Sequence, residues 1–393
     1  MDNIKELHKK YVLPTYAPEQ LFVKGEGSWL FDEAGKKYLD FTSGIAVCAL
    51  GHCHPAITEA ITRQASKLVH ISNLYYNENQ PKLAEKLIKQ SFHGKVFFAN
   101  SGAEANEGMI KLARKWGSND GKFEIIAMEN SFHGRTLATL AATGRKKYRA
   151  GFAPDMPGFV FVPYNDIQAL KKALNEKTCA ILLEPVQGEG GVLPAEKDFL
   201  NQVRKVCDEN KVLLMFDEVQ TGIGRTGKFF AWQKYGVEPD LFSTAKALGN
   251  GFPIGAFIVK HQYTSVLQPG THASTFGGTP LACAASLAVL GVIQEEDILK
   301  NCNEKSKILF DALEKMKTKF NTIVEIRGMG LMIGIVLDQN AAPLRQIAAN
   351  LGLLLLTAGE NVLRLLPPLN VSSDEVNMAL NLLEQAFEEF TKN

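Results

Sequence analysis

Between about residue 55 and residue 260, short apolar runs alternate with longer segments whose apolar residues recur at helical spacing. Such alternation is typical of a mostly parallel sheet covered by helices on both faces. The predicted strands are Val96–Ala99, Ile125–Met128, Phe159–Val162, Ala180–Leu183, Val212–Phe216, Leu241–Ser243 and Ile254–Val259. The predicted fold class is therefore α/β.

The two ends of the chain have a different pattern. Residues 1–20 predict a short helix and a proline-marked turn, and Phe22–Phe41 predicts a small antiparallel meander. After about residue 290, long amphipathic helices flank two strand-rich segments, Glu325–Leu337 and Leu353–Leu366. The predicted domains are a large domain and a smaller α+β domain built from both ends: residues 1–54 (joining the small domain), 55–289 (large domain) and 290–393 (small domain).

Composition excludes several classes of function. Lys plus Arg number 43 and Asp plus Glu number 42, so a formal charge of +1 offers no general attraction to nucleic acid or an anionic membrane. The first residues, Met1–Glu6, lack the basic and apolar parts of a signal peptide, and no apolar run approaches the roughly 20 residues of a membrane span. We therefore predict a cytoplasmic protein with small-molecule partners.

The cysteines predict neither disulfides nor a metal centre. Six cysteines are scattered without a paired framework, which favours reduced thiols. Cys48, His52, Cys53 and His54 lie close together, but their spacing is not that of a zinc site. No metal is predicted.

The stretch Asp240–Gly255 carries the first sign of chemistry. A short apolar run leads into Lys246, which has small neighbours, and Gly249 and Gly251 then permit tight turns. Partial burial would lower the pKa of such a lysine and free its amine to attack the aldehyde of pyridoxal phosphate. By itself, however, a single lysine at such a position is more often an ordinary helix start, so other residues must support the prediction.

Asp217 strengthens the prediction, because it ends the apolar run Val212–Phe216. A carboxylate at the carboxyl end of a buried strand lies where α/β proteins bind ligands, and it needs a cationic partner. The protonated pyridine nitrogen of pyridoxal phosphate would be such a partner, and Asp217 would keep it protonated. Lys246 and Asp217 are therefore the predicted catalytic residues.

Several longer phrases resemble the class III aminotransferases. They extend over nearly the whole chain: 99–106 (ANSGAEAN), 130–136 (NSFHGRT), 184–191 (EPVQGEGG), 217–227 (DEVQTGIGRTG), 243–246 (STAK) and 251–255 (GFPIG). The resemblance implies the fold-type I architecture of pyridoxal phosphate enzymes and a homodimer with shared active sites. A nicotinamide site at Gly222–Gly227 is disfavoured, because those glycines do not open a helix directly after a strand.

The resemblance also implies roles for residues around the cofactor. Gly102 and Ala103, with Ser101 adjacent, would bind the phosphate at a helix N-terminus, a setting that suits anions. Phe132 would stack on the pyridine ring and Gln220 would contact its phenolic oxygen. The remaining cofactor contact would come from the neighbouring subunit, in which Thr275 would bind the phosphate.

Four residues are expected to bind substrate. Arginine binds carboxylates through paired hydrogen bonds, so Arg135 and Arg364 suit substrates with two carboxylates. By resemblance, Arg364 would hold the α-carboxylate of glutamate, and Glu189 would neutralise it when the other substrate binds. Ser274 would reach the substrate of the neighbouring subunit.

By resemblance, the expected reaction transfers the distal amino group of N2-acetyl-L-ornithine to 2-oxoglutarate, a step of arginine biosynthesis. Apolar Ile45 occupies the position where we expect a tyrosine in enzymes that take free ornithine, and an uncharged acylated nitrogen tolerates an apolar neighbour. Ornithine, succinylornithine and N-succinyldiaminopimelate remain alternative donors. A racemase or aminomutase, and a regulatory protein that binds the cofactor without turnover, are the alternatives of other classes.

Overall fold

The computed structural model describes residues 4–392; Met1–Asn3 and Asn393, where the predicted terminal domains begin and end, lie outside the described residues. The helices are α1 Ile4–Tyr11, α2 Ser43–Ala46, α3 Pro55–Lys67, α4 Asn79–Lys89, α5 Gly102–Gly117, α6 Leu137–Ala141, α7 Lys146–Arg149, α8 Ile167–Ala173, α9 Lys197–Asn210, α10 Trp232–Tyr235, α11 Pro280–Glu295, α12 Ile298–Lys319, α13 Ala342–Leu351 and α14 Ser373–Phe390. The strands are β1 Phe22–Glu26, β2 Trp29–Asp32, β3 Lys37–Asp40, β4 Gly94–Ala99, β5 Glu124–Met128, β6 Phe159–Val162, β7 Thr178–Leu183, β8 Val186–Gln187, β9 Leu193–Pro194, β10 Leu213–Asp217, β11 Leu241–Thr244, β12 Gly255–Lys260, β13 Ile323–Met329, β14 Met332–Leu337, β15 Leu353–Leu354, β16 Leu356–Ala358 and β17 Val362–Leu365.

A seven-stranded sheet forms the centre of the molecule, in the order β4-β12-β11-β10-β7-β5-β6. The pairs from β11 to β6 are parallel, whereas β12 runs antiparallel to both β11 and β4. The predicted α/β class with a mostly parallel sheet is therefore confirmed. Parallel strands carry their carboxyl ends to one edge, and β10 and β11 place Asp217 opposite Ser243 at that edge.

Alternate residues of the central strands pack into two different clusters, because successive side chains of a strand point to opposite faces. Leu214 and Phe216 of β10 join a large core that includes Phe199 of α9. Leu213 and Met215 join a second cluster that includes residues of α5. Burial on both faces explains why these strands read as continuous apolar runs rather than as alternating patterns.

The predicted N-terminal meander is present, with β1, β2 and β3 paired antiparallel. Its edge strand β3 also pairs in parallel with β15, so residues near both ends of the chain share one sheet. A further sheet, in the order β13-β14-β17-β16, contains the first strand-rich segment predicted after residue 290 and, except for β15, the second. The division of the chain into domains stays a prediction.

Within residues 4–392, none of the helices combines the length and the apolar character needed to cross a membrane. The cytoplasmic location stays a prediction.

Candidate active site

A cavity of about 390 Å³ opens at the carboxyl edge of the central sheet. Most of the residues predicted to bind cofactor or substrate line it, although they come from distant parts of the chain. These are Ser101, Gly102, Ala103, Phe132, Arg135, Glu189, Asp217, Gln220 and Lys246. These residues come together because each of their segments follows or neighbours the end of a strand, and the strand ends meet at one edge of the sheet.

Lys246 begins a short 3₁₀ turn directly after β11. Its backbone has φ +45°, a left-handed conformation that is uncommon for a residue other than glycine and costs free energy. Burial lowers the pKa of the Lys246 ammonium, and the charge of Arg364 lowers it further, while Glu189 and Asp217 oppose the shift. The strained turn and the lowered pKa both favour a lysine held in place for nucleophilic chemistry.

Asp217 ends β10 with a side chain that is only 4% exposed. Its Oδ2 accepts hydrogen bonds from Asn106 Nδ2 at 2.7 Å and lies 2.8 Å from His133 Nδ1. Its Oδ1 accepts a bond from the Val219 amide at 3.0 Å. These contacts fix the carboxylate at the floor of the cavity, where it can hold a cationic ring nitrogen.

Helix α5 begins at the cavity wall, and Ser101 caps it by accepting a hydrogen bond from the Glu104 amide. Among the described residues, the amides of Gly102 and Ala103 have no hydrogen-bond acceptor, so they remain available to an anion. A Cβ atom at Gly102 would lie 2.7 Å from Val219, which explains why glycine is needed where the helix start packs against that side chain.

Phe132 and Arg135 lie on the loop after β5, next to the aromatic ring of Tyr148. The guanidinium carbon of Arg135 is 3.9 Å from the centroid of the Tyr148 ring and 5.4 Å from that of Phe132. Arg135 is exposed, and within the described part of the chain no carboxylate lies within ion-pair distance of it. Aromatic packing therefore orients this cation while its charge stays available to a carboxylate ligand.

Arg364 lies on β17 and is 2% exposed. One of its terminal nitrogens donates to Glu189 at 2.7 Å and to Gln220 Oε1 at 3.2 Å. Burial favours a raised pKa for Glu189, but the charge and hydrogen bond of Arg364, with Lys246 and Arg145, lower it below its usual value. A buried arginine thus has a charged partner within the cavity, as its burial requires.

Glu184, also in the cavity wall, connects two of the loops that carry site residues. Its carboxylate accepts hydrogen bonds from the amides of Phe132 and Gly188, each at 3.0 Å. Burial raises its pKa to about 7, with the Asp217 charge adding to the shift and His133 opposing it. The positions of Phe132 and Glu189 therefore depend on one buried acid.

Four residues of the prediction do not line the cavity in the single chain: Arg364, which contacts it through Glu189 and Gln220, and Ser274, Thr275 and Ile45. Thr275 is exposed and does not line the cavity, and Ser274 beside it binds Asn100 Nδ2 and the Gly277 amide through its hydroxyl oxygen. Ile45 is 45% exposed in α2, where its φ is +67°; its neighbour Val47, not Ile45, lines the cavity. The assigned roles of all site residues stay predictions.

Sequence reasoning did not select five residues that complete the site: Asn106, His133, Tyr148, Glu184 and Val219. Four of them lie within the phrases that carry the family resemblance, which was an available signal: Asn106, His133, Glu184 and Val219. Tyr148 had no such signal, because its contact with Arg135 arises only from the fold.

Two observations indicate that the cavity fits the predicted cofactor. The free amides at the start of α5 suit its phosphate, and the carboxylate of Asp217 suits its ring nitrogen. Lys246 lines the same cavity and would hold the aldehyde carbon, while Phe132 and Val219 supply apolar surface for the ring. These residues therefore fit pyridoxal phosphate.

Comparison with known proteins finds relatives that match nearly the whole chain. Two relatives are named acetylornithine aminotransferase. The one from Caldanaerobacter subterraneus subsp. tengcongensis is 50% identical, and the alignment covers 97% of this chain and 98% of the relative. The one from Methanocaldococcus jannaschii is 49% identical, and the alignment covers 100% of this chain and 99% of the relative.

Solved structures are similar as well. Acetylornithine aminotransferase from Elizabethkingia anophelis has a TM-score of 0.88 at 34% identity, covering 98% of both chains. Ornithine aminotransferase from Toxoplasma gondii, described with partial occupancy of pyridoxal phosphate at its active site, has a TM-score of 0.95 at 32% identity, covering 99% of this chain and 96% of its own. The profile of the aminotransferase class-III family matches residues 14–387. This chain therefore belongs to the class-III aminotransferases, enzymes that depend on pyridoxal phosphate.

Proposed function

We propose that this enzyme transfers the distal amino group of N2-acetyl-L-ornithine to 2-oxoglutarate, giving N-acetyl-L-glutamate 5-semialdehyde and L-glutamate. Relatives that are 48–50% identical to it carry the name acetylornithine aminotransferase. The two substrates would react in turn at one site, so ping-pong kinetics are expected.

The observation that carries the proposal is the 2.7 Å ion pair between Arg364 and Glu189 beside Lys246. The two substrates differ at the reacting end: glutamate has a carboxylate next to its reacting amine, whereas the distal end of acetylornithine has none. Glu189 would keep Arg364 neutralised while acetylornithine reacts, and the carboxylate of glutamate would replace Glu189 in the other half-reaction. One arginine thus serves both substrates without being left unpaired in a buried site.

Arg135 would bind the α-carboxylate of acetylornithine, since its charge is exposed in the cavity wall. The cofactor, when bound, supplies the electron-accepting ring on which the amino group changes carrier. Asp217 would hold the ring nitrogen protonated, and the Lys246 amine would move the proton at the reacting carbon. The lowered pKa of Lys246 favours this role, because a neutral amine can accept a proton.

The choice of donor is supported by the apolar segment 45–47. Val47 lines the cavity, and Ile45, which does not line it in this chain, is apolar where we expect a tyrosine in enzymes that take free ornithine. Apolar neighbours suit an uncharged acylated nitrogen better than a free ammonium. Steady-state assays with acetylornithine, succinylornithine, N-succinyldiaminopimelate and ornithine test this directly. A kcat/KM for ornithine equal to or above that for acetylornithine would refute the proposed donor.

We also propose a homodimer in which Ser274 and Thr275 reach the neighbouring active site. Thr275 is exposed and lies outside the cavity of its own chain, which supports a role across an interface. Hybrid dimers of Lys246→Ala and Thr275→Val subunits should regain part of the activity, because one of their two sites would carry both native residues. Hybrids that assemble and stay inactive would contradict shared sites.

A further inference from the structure

A second cavity, of about 650 Å³, adjoins the candidate active site and shares Glu189 with it. Its wall includes the basic segment Arg145–Arg149. Lys146 and Lys147 are exposed, and Arg149 pairs with Asp155 at 2.9 Å. Arg145 differs from them, because it is partly buried and is held next to the site by hydrogen bonds to neutral oxygens.

Arg145 makes two such bonds. One terminal nitrogen donates to the Tyr148 hydroxyl at 3.0 Å and the other donates to the Glu189 carbonyl at 2.6 Å. A guanidinium has five N–H groups, so these bonds leave further donors for an anion. Within residues 4–392, no carboxylate lies within ion-pair distance of Arg145.

The carboxylates that face this cavity do not satisfy Arg145. Glu189 is held by Arg364 at 2.7 Å, and its effect on Arg145 acts across a longer distance. Glu129 and Glu360 line the cavity but are exposed, and neither pairs with Arg145. Among the described residues, the cavity therefore contains an oriented cation without an anionic partner.

The position of this cation relative to Arg135 points to a ligand. The guanidinium carbons of Arg135 and Arg145 lie 3.9 Å and 5.3 Å from the centroid of the same Tyr148 ring. An ornithine derivative with a dicarboxylic acyl group carries one carboxylate at Cα and a second a few bonds away. Two guanidinium groups around one ring can bind both at once.

We propose that Arg145 determines acyl specificity by binding the terminal carboxylate of donors acylated with a dicarboxylic acid, such as N2-succinyl-L-ornithine. This inference rests on the proposed function and assigns the residue that lets one cavity accept both neutral and anionic acyl groups. The acetyl group, which has no charge, does not reach or need Arg145.

The test compares kcat/KM for N2-acetyl-L-ornithine and N2-succinyl-L-ornithine in the native enzyme, in Arg145→Gln and in Arg145→Lys. Loss of a charge-assisted hydrogen bond should lower kcat/KM for the succinyl donor roughly 10- to 100-fold, mainly through KM. The value for the acetyl donor should change little, and lysine should restore part of the loss. Lys171→Gln, an exposed change of equal charge on α8, is the matched control.

A substrate control separates charge from size. N2-succinamoyl-L-ornithine has the length of the succinyl donor but ends in a neutral amide, so Arg145→Gln should affect it as little as the acetyl donor. Equal losses for all donors would mean that Arg145 only supports Tyr148 and Glu189, and would overturn the inference. Native enzyme that uses the acetyl donor but not the succinyl donor would also overturn it, whereas failure with both acyl donors would overturn the proposed function itself.

Discussion

Replacing Glu189 with glutamine should separate the two half-reactions. The change keeps the size of the side chain but removes the negative charge that faces Arg364 at 2.7 Å. Arg364 is 2% exposed, so water cannot solvate its guanidinium in place of the missing carboxylate. When acetylornithine binds, a buried guanidinium would then lie unneutralised beside the incoming distal amine.

The size of the effect follows from the contact. A hydrogen bond between charged groups at a buried site contributes about 1.5–3 kcal/mol, which corresponds to roughly a 10- to 150-fold change. We expect kcat/KM for acetylornithine to fall by a factor in this range. Glutamate should react at least as well as before, because its own carboxylate pairs with Arg364 and no longer competes with Glu189.

Single-turnover absorbance measurements of each half-reaction would test this prediction, since the cofactor changes colour as it gains or loses the amino group. Glu176→Gln, an exposed change of the same type, is the control. Equal losses with acetylornithine and glutamate would refute the switching role of Glu189. Because the pKa of Glu189 is lowered, its carboxylate should stay charged from neutral pH to below the ordinary carboxyl pKa. In the native enzyme, the ratio of kcat/KM for acetylornithine to kcat/KM for glutamate should therefore stay constant over that pH range.

Three further experiments have predicted outcomes. Borohydride reduction followed by peptide mapping should leave pyridoxyl on Lys246 alone, and labelling of another lysine would contradict its role. Asp217→Asn should lose far more activity than cofactor, since an amide cannot keep the ring nitrogen protonated; near-normal turnover would refute this. The hydrogen bond that His52 donates to Asp40 raises the pKa of His52 to about 10, so the pair should stabilise the fold below pH 6.5 and lose that contribution as pH rises to 10. The change is about 5 kcal/mol as an upper limit and smaller in practice, because solvent screens this partly exposed ring. Urea unfolding of His52→Asn should show a flatter pH dependence if this is correct.

Local patterns were enough to predict most of the central sheet. The apolar runs at β5, β6, β7, β10 and β11 are continuous because both faces of each strand are buried, and each prediction ended within about two residues of the observed strand. The reversed direction of β12 was not predictable, because an apolar run indicates burial but not direction.

Prediction of the site from the sequence is limited in the same way. Residues within recognisable phrases, such as Lys246 and Asp217, were predicted and do lie in one cavity. The hydrogen bonds from His133 to Asp217 and from Arg145 to Glu189 join residues dozens of positions apart, and no local pattern encodes such pairs. Thr275 could not be placed near any site from one chain alone, because its predicted contacts cross to another subunit.

The parallel pairing of β3 with β15 has a consequence for the order in which the chain folds during synthesis. Leu39 and Leu353 are partners although more than 300 residues separate them, so the N-terminal meander must wait for nearly the whole chain before that sheet is complete. The central sheet needs no residue beyond Lys260 and can form earlier on the ribosome. Arg364, which follows β15, therefore joins the site among its last components, after Asp217 and Lys246 have already been synthesised.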